Sequence, residues 1–443
     1  MIISQYTIPF EGLDHDFYLY NSFSNALVEV DKDSYDKIVS LSGTDSLIHE
    51  DDIDHELYKA LVGNHFIVES YSDEFLLYKS LIMEMRGQSE FMHLTVAPTT
   101  DCNFRCFYCF EKEKKPHYLK ESTMDSIILY LKSFRDLKRI KLTWFGGEPL
   151  LAKDEMRAFY GKIKELGLTF TSNIITSGFL VDESTAELFN SLDISDVQIT
   201  LDGNKESHNK VKQDKSCSDV FSRVIQNAQL LLSKCEQLHI TFRVNITREN
   251  SHEYVELYRF LNQTFENKKV SVVPAFVEDR TKSCALEKNN IVFSKHESSD
   301  YILELYHKDG IYTPFLQYPS KQISECAIRN KMAISFDAEG YVYKCWEKIG
   351  DKHYSIGRIN EKGEIENVNR IELNRELYGA DPLDSEECKQ CRLLPICNGG
   401  CPIQRIQNEF EEYSNDVCPY YKDSLADYLN IHIQLKKCVN ENS

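Results

Sequence analysis

The sequence predicts an α/β protein built on a six-stranded parallel sheet, open or closed into a barrel, with a small α/β module before it and a cysteine-rich region after it. Three observations carry this. Six short apolar runs alternate with helical patterns from about residue 92 to about 280. The first ninety residues follow a different order, strand–strand–helix–helix–strand. The cysteines are clustered: none precedes Cys102, three lie within 102–109, and seven run from Cys326 to Cys418.

In the first region, residues 1–90, FYLYN (17–21) and ALVEV (26–30) read as short strands joined by a turn containing Ser and Asn. DKDSYDKIVSLSG (31–43) opens on Asp capping candidates and stops at Gly43, as a helix does. DDIDHELYKALVGN (51–64) repeats this with Gly63 as its stop, and HFIVES (65–70) returns as a strand. The order suits a winged-helix-like fold.

In the second region, 91–280, the strand-like runs are HLTVAP (93–98), IKLTWF (140–145), FTSNIIT (170–176), DVQITL (196–201), HITFRVN (239–245) and VSVVPA (270–275). Helical patterns fill the gaps near 121–135, 154–166, 182–192, 219–234 and 250–264. The segment 281–325 is polar and poorly patterned and is expected to bridge the barrel to a cysteine-rich domain over 326–443.

Composition narrows the function. The chain has 443 residues, 42% hydrophobic and 12% aromatic, enough for a large core. Its net charge of −19 repels phosphate at long range, which argues against nucleic acid and anionic membranes as partners; acidity is also an ordinary route to solubility. The N-terminus MIISQYTIPFEGLDHDF lacks the basic and apolar regions of a secretory signal, and no run approaches the ~20 apolar residues of a membrane span. The expectation is a cytoplasmic protein. Its thiols would stay reduced, so clustered cysteines read as metal or catalytic ligands.

Residues 99–111, TTDCNFRCFYCFE, follow directly on the first strand of the alternating region. They therefore lie at the C-terminal strand ends, where active groups gather in such sheets. Cys102, Cys106 and Cys109 are spaced C-x3-C-x2-C, with Tyr108 among them. Three thiolates can hold a cubane iron–sulfur cluster and leave one iron for a substrate to chelate; half a zinc site is the plainer alternative. Strand IKLTWF runs into Gly146, Gly147, Glu148 and Pro149. Two glycines at a strand end permit close backbone approach to a ligand, and Glu148 can accept hydrogen bonds from a ligand ammonium; a turn with a solvated Glu is the alternative.

Together these residues resemble the radical SAM superfamily. The resemblance implies a partial (β/α)6 barrel, in agreement with the six units. It also implies a 4Fe–4S cluster on Cys102, Cys106 and Cys109, with S-adenosylmethionine chelating the open iron. Tyr108 then lies near the adenine, and Glu148 with the backbone of Gly146 and Gly147 holds the methionine ammonium. Ser177 after the third strand, Thr200 and Asp202 at the fourth, and Arg243 on the fifth match positions that contact ribose or carboxylate in the family. Each is equally an ordinary strand-end polar group.

Farther on, Cys326 is followed after thirteen residues by GYVYKC, ending at Cys345; then come Cys388, Cys391, Cys397 and Cys401 in CKQCRLLPICNGGC, and Cys418. Thiolate spacing alone does not choose iron over zinc. The pattern resembles the SPASM domain at every position. That resemblance implies two auxiliary 4Fe–4S clusters, one on Cys388, Cys391, Cys397 and Cys418, the other on Cys326, Cys345 and Cys401. The second set is one ligand short: either Cys284 reaches in or one iron is open to a substrate thiolate. Cys217, Cys235 and Cys438 receive no role.

The 1–90 module resembles the PqqD-like recognition element of enzymes that modify ribosomally made peptides, which binds a leader by adding a strand to a sheet edge. A lid or an oligomerisation module is the alternative. The whole reading is a radical SAM/SPASM peptide maturase: an external one-electron reductant of flavodoxin or ferredoxin type reduces the first cluster, S-adenosylmethionine is split to methionine and a 5′-deoxyadenosyl radical, hydrogen is abstracted from a bound precursor peptide, the carbon radical closes onto a second side chain, and an auxiliary cluster accepts the leftover electron. A thioether is favoured over a carbon–carbon or carbon–oxygen bond. Epimerisation or decarboxylation of a peptide, an anaerobic sulfatase maturase, and a non-catalytic zinc-bound scaffold are the competing readings.

Overall fold

A computed structural model describes residues 1–109, 111, 115–266, 268–278, 290–323 and 326–441. The chain forms two compact units, one of residues 1–87, 295–330 and 378–443, the other of 88–294 and 331–377. Cys284 lies outside the described residues.

The first unit begins with five short strands, β1 (Ile2–Ile3), β2 (Thr7–Glu11), β3 (Phe17–Asn21), β4 (Leu27–Val30) and β5 (Ile67–Val68). β2, β3 and β4 form an antiparallel sheet in that order, and β1 pairs with β5. Pro9 interrupts the strand pattern in the sequence but costs β2 little, because β2 is an edge strand with no ladder partner on its outer side. The Asp31 side chain caps helix Lys32–Leu41 by accepting from the Ser34 N–H (2.9 Å), and Asp54 caps helix His55–Gly63. A further helix, Tyr71–Gly87, has no counterpart in the sequence reading. Alternation along β3 gives the sheet two apolar faces. Leu19 packs with Ile38, Leu61 and Phe66 on one side. Tyr18 and Tyr20 pack with Leu393, Ile396, Leu425 and Leu429 on the other.

The second unit is the barrel sheet. Its strands are β6 (Phe91–Val96), β7 (Arg139–Trp144), β8 (Thr169–Thr176), β9 (Ile194–Leu201), β10 (His239–Ile246) and β11 (Val270–Phe276), each within two residues of its predicted start. They lie parallel, side by side in sequence order. Helices Glu121–Lys132, Lys153–Lys164, Glu183–Ser191, Val220–Lys234 and Tyr254–Thr264 fill the predicted gaps. The sheet also continues past β6. β12 (Ala333–Phe336) pairs parallel with it, and β13 (Tyr341–Tyr343), β14 (Gly357–Ile359) and β15 (Ile365–Glu366) extend it antiparallel. Period-two burial sorts the side chains. In β7, Ile140, Leu142 and Trp144 are buried while Arg139 and Lys141 are exposed. The opposite-facing set on neighbouring strands includes Ser177, Thr200 and Arg243, which reach the cavity described below.

Candidate active site

The cysteine loop leaves β6 and is fastened at its base. The Thr99 hydroxyl donates to the His117 carbonyl (2.7 Å), and the Thr100 hydroxyl donates to the Lys115 carbonyl (2.7 Å). Within the loop, backbone N–H groups of Phe104 and Glu111 point at the sulfurs of Cys102 (3.5 Å) and Cys109 (3.3 Å). Burial, reinforced by the Glu148 carboxylate, pushes the Cys102 thiol up to about 12; burial also raises Cys106, against the pull of Lys212. These thiols favour the protonated form until a cation offsets the desolvation of their thiolates.

The two glycines after β7 serve the loop directly. A Cβ on Gly147 would collide with the Asp101 carbonyl, and one on Gly146, at φ 120°, would meet the Thr99 carbonyl. The close backbone approach is therefore to the cysteine loop, and it is locked by the Glu148 N–H donating to the Asp101 carbonyl (2.8 Å). Glu148 itself is 1% exposed. Its Oε1 accepts from the Thr176 hydroxyl (2.6 Å) and the Leu150 N–H (3.1 Å); its Oε2 accepts from the Ser177 N–H (2.8 Å) and hydroxyl (2.6 Å). A carboxylate has about four acceptor sites, so capture of an ammonium requires one donor, most simply the rotatable Ser177 hydroxyl, to turn away.

One cavity of about 280 Å³ gathers nearly all of the expected residues: Cys102, Cys106, Tyr108, Cys109, Gly146, Gly147, Glu148, Ser177, Thr200 and Arg243 line it together with Phe145, Ile175 and Trp346. Asp202 is the exception. It sits behind Tyr108 and lines an adjoining pocket of about 910 Å³. There it anchors a buried network absent from the sequence reading. The Tyr108 hydroxyl donates to Asp202 Oδ1 (2.6 Å), Asn245 Nδ2 donates to the same oxygen (3.2 Å), and Lys212 Nζ donates to Oδ2. Burial works to raise the Asp202 carboxyl, but Lys212, with the Tyr108 hydroxyl donating to it, holds it below the ordinary carboxylate range. Burial would lower the Lys212 ammonium, yet Asp202 keeps it above its usual value. Burial and Lys212 push His208 down to about 3, so it is a neutral acceptor for the Asp202 N–H (3.3 Å).

The C-terminal cysteines fall in different surroundings. The Cys391 and Cys397 thiols are both raised by burial, Cys397 to about 12, with Cys388 and Cys418 adding to each, so these four thiols lie within one another's field. Gly400, at φ 75°, makes this possible: a Cβ there would strike the Val417 carbonyl, one residue before Cys418. Cys326 and Cys401 belong to the first unit and Cys345 to the second. No disulfide joins the described cysteines. Among the described residues no three His, Cys, Asp or Glu side chains converge on one metal ion; the thiolates of a cubane bind separate irons and ask for no such convergence.

Comparison with known proteins agrees with this geometry. Residues 96–261 match the Radical SAM superfamily. A cysteine-type anaerobic sulfatase-maturating enzyme of Clostridium perfringens is 24% identical over 366 residues, 75% of this chain and 95% of that enzyme. The structure of native anSMEcpe with bound AdoMet and a peptide superposes with a TM-score of 0.58 at 19% identity, covering 80% of this chain and all of that one. Streptococcus suis SuiB bound to S-adenosylmethionine superposes with a TM-score of 0.51 at 17% identity, covering 94% of this chain and all of that one. No helix among the described residues is long and apolar enough to cross a membrane.

Proposed function

Starting from a chain that is an enzyme of the radical SAM superfamily, we propose that it matures a ribosomally made precursor peptide by hydrogen abstraction and an intramolecular cross-link, a thioether by preference. The observation that supports this most is the single cavity onto which three thiols, the Gly146–Gly147–Glu148 corner and the polar strand ends all open. Cys102, Cys106 and Cys109 fit a 4Fe–4S cluster, because all three face one space and two receive backbone N–H groups on sulfur. When bound, that cluster and S-adenosylmethionine supply a hydrogen-abstracting radical. The chain's own residues bind and shield. Glu148 is held rigid as an acceptor, Thr200 and Arg243 offer polar contacts along the strand ends, Tyr108 is pinned by Asp202, and Phe145, Ile175 and Trp346 give the cavity apolar lining.

Cys388, Cys391, Cys397 and Cys418 are assigned one auxiliary cluster, and Cys326, Cys345 and Cys401 the other. The 1–90 segment is assigned the leader peptide, since its three-stranded sheet has edge strands, β2 and β4, with no further strand paired to them among the described residues. The reductant is an external one-electron carrier of flavodoxin or ferredoxin type.

A second reading, sulfatase maturation, is favoured by the names of the sequence relatives. Intact mass of candidate peptides after anaerobic co-expression separates the readings. Loss of two hydrogens with cysteines resistant to alkylation supports the thioether maturase. The same loss with free cysteines moves the bond to other side chains. No change on precursor peptides, with conversion of a sulfatase peptide to an aldehyde, overturns the proposal.

A further inference from the structure

The thiols of the first unit carry an inference that rests on the reading of Cys388, Cys391, Cys397 and Cys418 as cluster ligands. Two donors already reach their sulfurs: the Leu393 N–H points at Cys391 (3.4 Å) and Arg405 Nη1 at Cys388 (3.5 Å). Three more buried donors find no partner among the described residues, the Tyr6 hydroxyl, the Gln5 amide and the Asn398 amide. Tyr6 is 0% exposed. Its ring stacks on Phe23 (6.1 Å, 21°) and meets Tyr78 edge-on (6.4 Å), and Cys388 packs against this same apolar group. The charges of Glu74 and, less strongly, of Cys391 are felt at its hydroxyl, and the Gln5 side chain lies beside it. Asn398 directly follows Cys397 at φ 52°; its carbonyl oxygen accepts from the Tyr78 hydroxyl, which leaves the NH2 group to face elsewhere.

A buried hydroxyl without a partner is destabilising. The acceptors near its proton are the Glu74 carboxylate, whose Oε2 is likewise without a partner among the described residues, and the cluster thiols. We propose that Tyr6 donates a hydrogen bond to a sulfur of this auxiliary cluster, with Asn398 as a second donor, and that the pair sets its reduction potential. Electron density on the sulfurs rises when a cluster is reduced, so donors favour the reduced form and raise the potential. Tyr6 lies between β1 and β2, so the segment assigned to the leader peptide would also carry a tuning residue for the electron-accepting centre.

The test is EPR-monitored potentiometry of the anaerobically reconstituted holoenzyme, with iron counted on every sample. Cys391→Ala checks the underlying reading separately: if it loses no iron, no cluster sits there. Tyr6→Phe keeps the ring and its stacking. The proposal expects iron to be retained and the potential of this cluster alone to move negative, with that of the Cys102–Cys106–Cys109 cluster unchanged. Retained iron with an unchanged potential, the outcome if the hydroxyl serves a buried water, overturns it. Should Tyr6→Phe fail to load iron, Asn398→Gly decides, because glycine suits the left-handed backbone there. A smaller negative shift supports the proposal, and no shift overturns it.

Discussion

At the barrel mouth, Cys102, Cys106 and Cys109 face an open cavity shared with polar strand ends. Around Cys388, Cys391 and Cys397 the neighbours are instead the aromatic and aliphatic side chains of the first unit, among them Tyr20, Tyr78, Leu394 and Leu429. Three thiols with space in front of them suit a centre that must bind something else. Thiols packed against apolar side chains, as Cys388, Cys391 and Cys397 are, suit one that only exchanges electrons. Substituting one cysteine in each group puts the largest strain on this comparison. Cys102→Ala is expected to reduce S-adenosylmethionine cleavage to below about a thousandth of the wild-type rate. Cys388→Ala is expected to keep cleavage within a few-fold while product is lost. 5′-Deoxyadenosine and product, quantified side by side, check both. Normal product from Cys388→Ala would remove the electron-accepting role from the closed group.

The next effect probes the wall of the open site. Lys212→Met leaves Asp202 buried without its counter-charge, and breaking such a pair costs about 3–5 kcal/mol. The pH dependence has a definite sign. In the wild type the Asp202 carboxyl is held low, so its contribution is present above the ordinary carboxylate value of about 3.9 and is lost as pH falls through the lower folded value. In the variant burial dominates and raises that carboxyl, so the deficit is greatest near neutral pH and shrinks as acid neutralises Asp202. Urea unfolding at several pH values measures it. A deficit that does not vary with pH would mean that Lys212 acts by packing alone.

Glu148→Gln gives a smaller effect. Charge-assisted hydrogen bonds of about 1.5–3 kcal/mol each imply roughly 10–100-fold weaker S-adenosylmethionine binding by equilibrium dialysis. Ser177→Ala sharpens the reading of that carboxylate. Removing the hydroxyl frees an acceptor site on Glu148, so binding should change by no more than a few-fold. A loss as large as that of Glu148→Gln would place Ser177 itself on the ligand.

The residues that were legible in the sequence and those that were not divide on the same physical ground. The six barrel strands were legible because β-branched runs of six to eight residues alternate with helical patterns, a purely local signal. The cysteine groups were legible because ligand spacing is also local. β12–β15 are only two to four residues long and owe their pairing to β6, far back in the chain. The Asp202–Lys212–His208–Asn245 network was hidden for a related reason: KESHNKVK reads as a solvated, charged turn of helix, and only the fold buries His208 and Lys212 beneath Tyr108. Arg243 and Thr200, by contrast, were named from the family resemblance, and the alternation of buried side chains along their strands puts both on the cavity face. What the local pattern misses here is the partner of a charge.

The smallest effect tests whether the first-unit module is what closes the second thiol group. The Ser22 hydroxyl donates to the carbonyl of Arg392 (2.6 Å), which lies in the loop between Cys391 and Cys397. Both residues belong to one unit. Ser22→Ala removes the donor and leaves that half-buried carbonyl to water or to nothing, a loss of about 1 kcal/mol for a neutral hydrogen bond. The Tyr78 hydroxyl still reaches Leu394 (3.3 Å), so the loop keeps a second tie and the fold should survive. Urea unfolding should then show a lower midpoint at unchanged slope, and iron should leave faster on exposure to chelator, with initial S-adenosylmethionine cleavage as in the wild type. The opposite pattern, slower cleavage with iron held as tightly as before, would mean that the module acts on the open site and would break the division between an enclosed electron store and an exposed reaction centre.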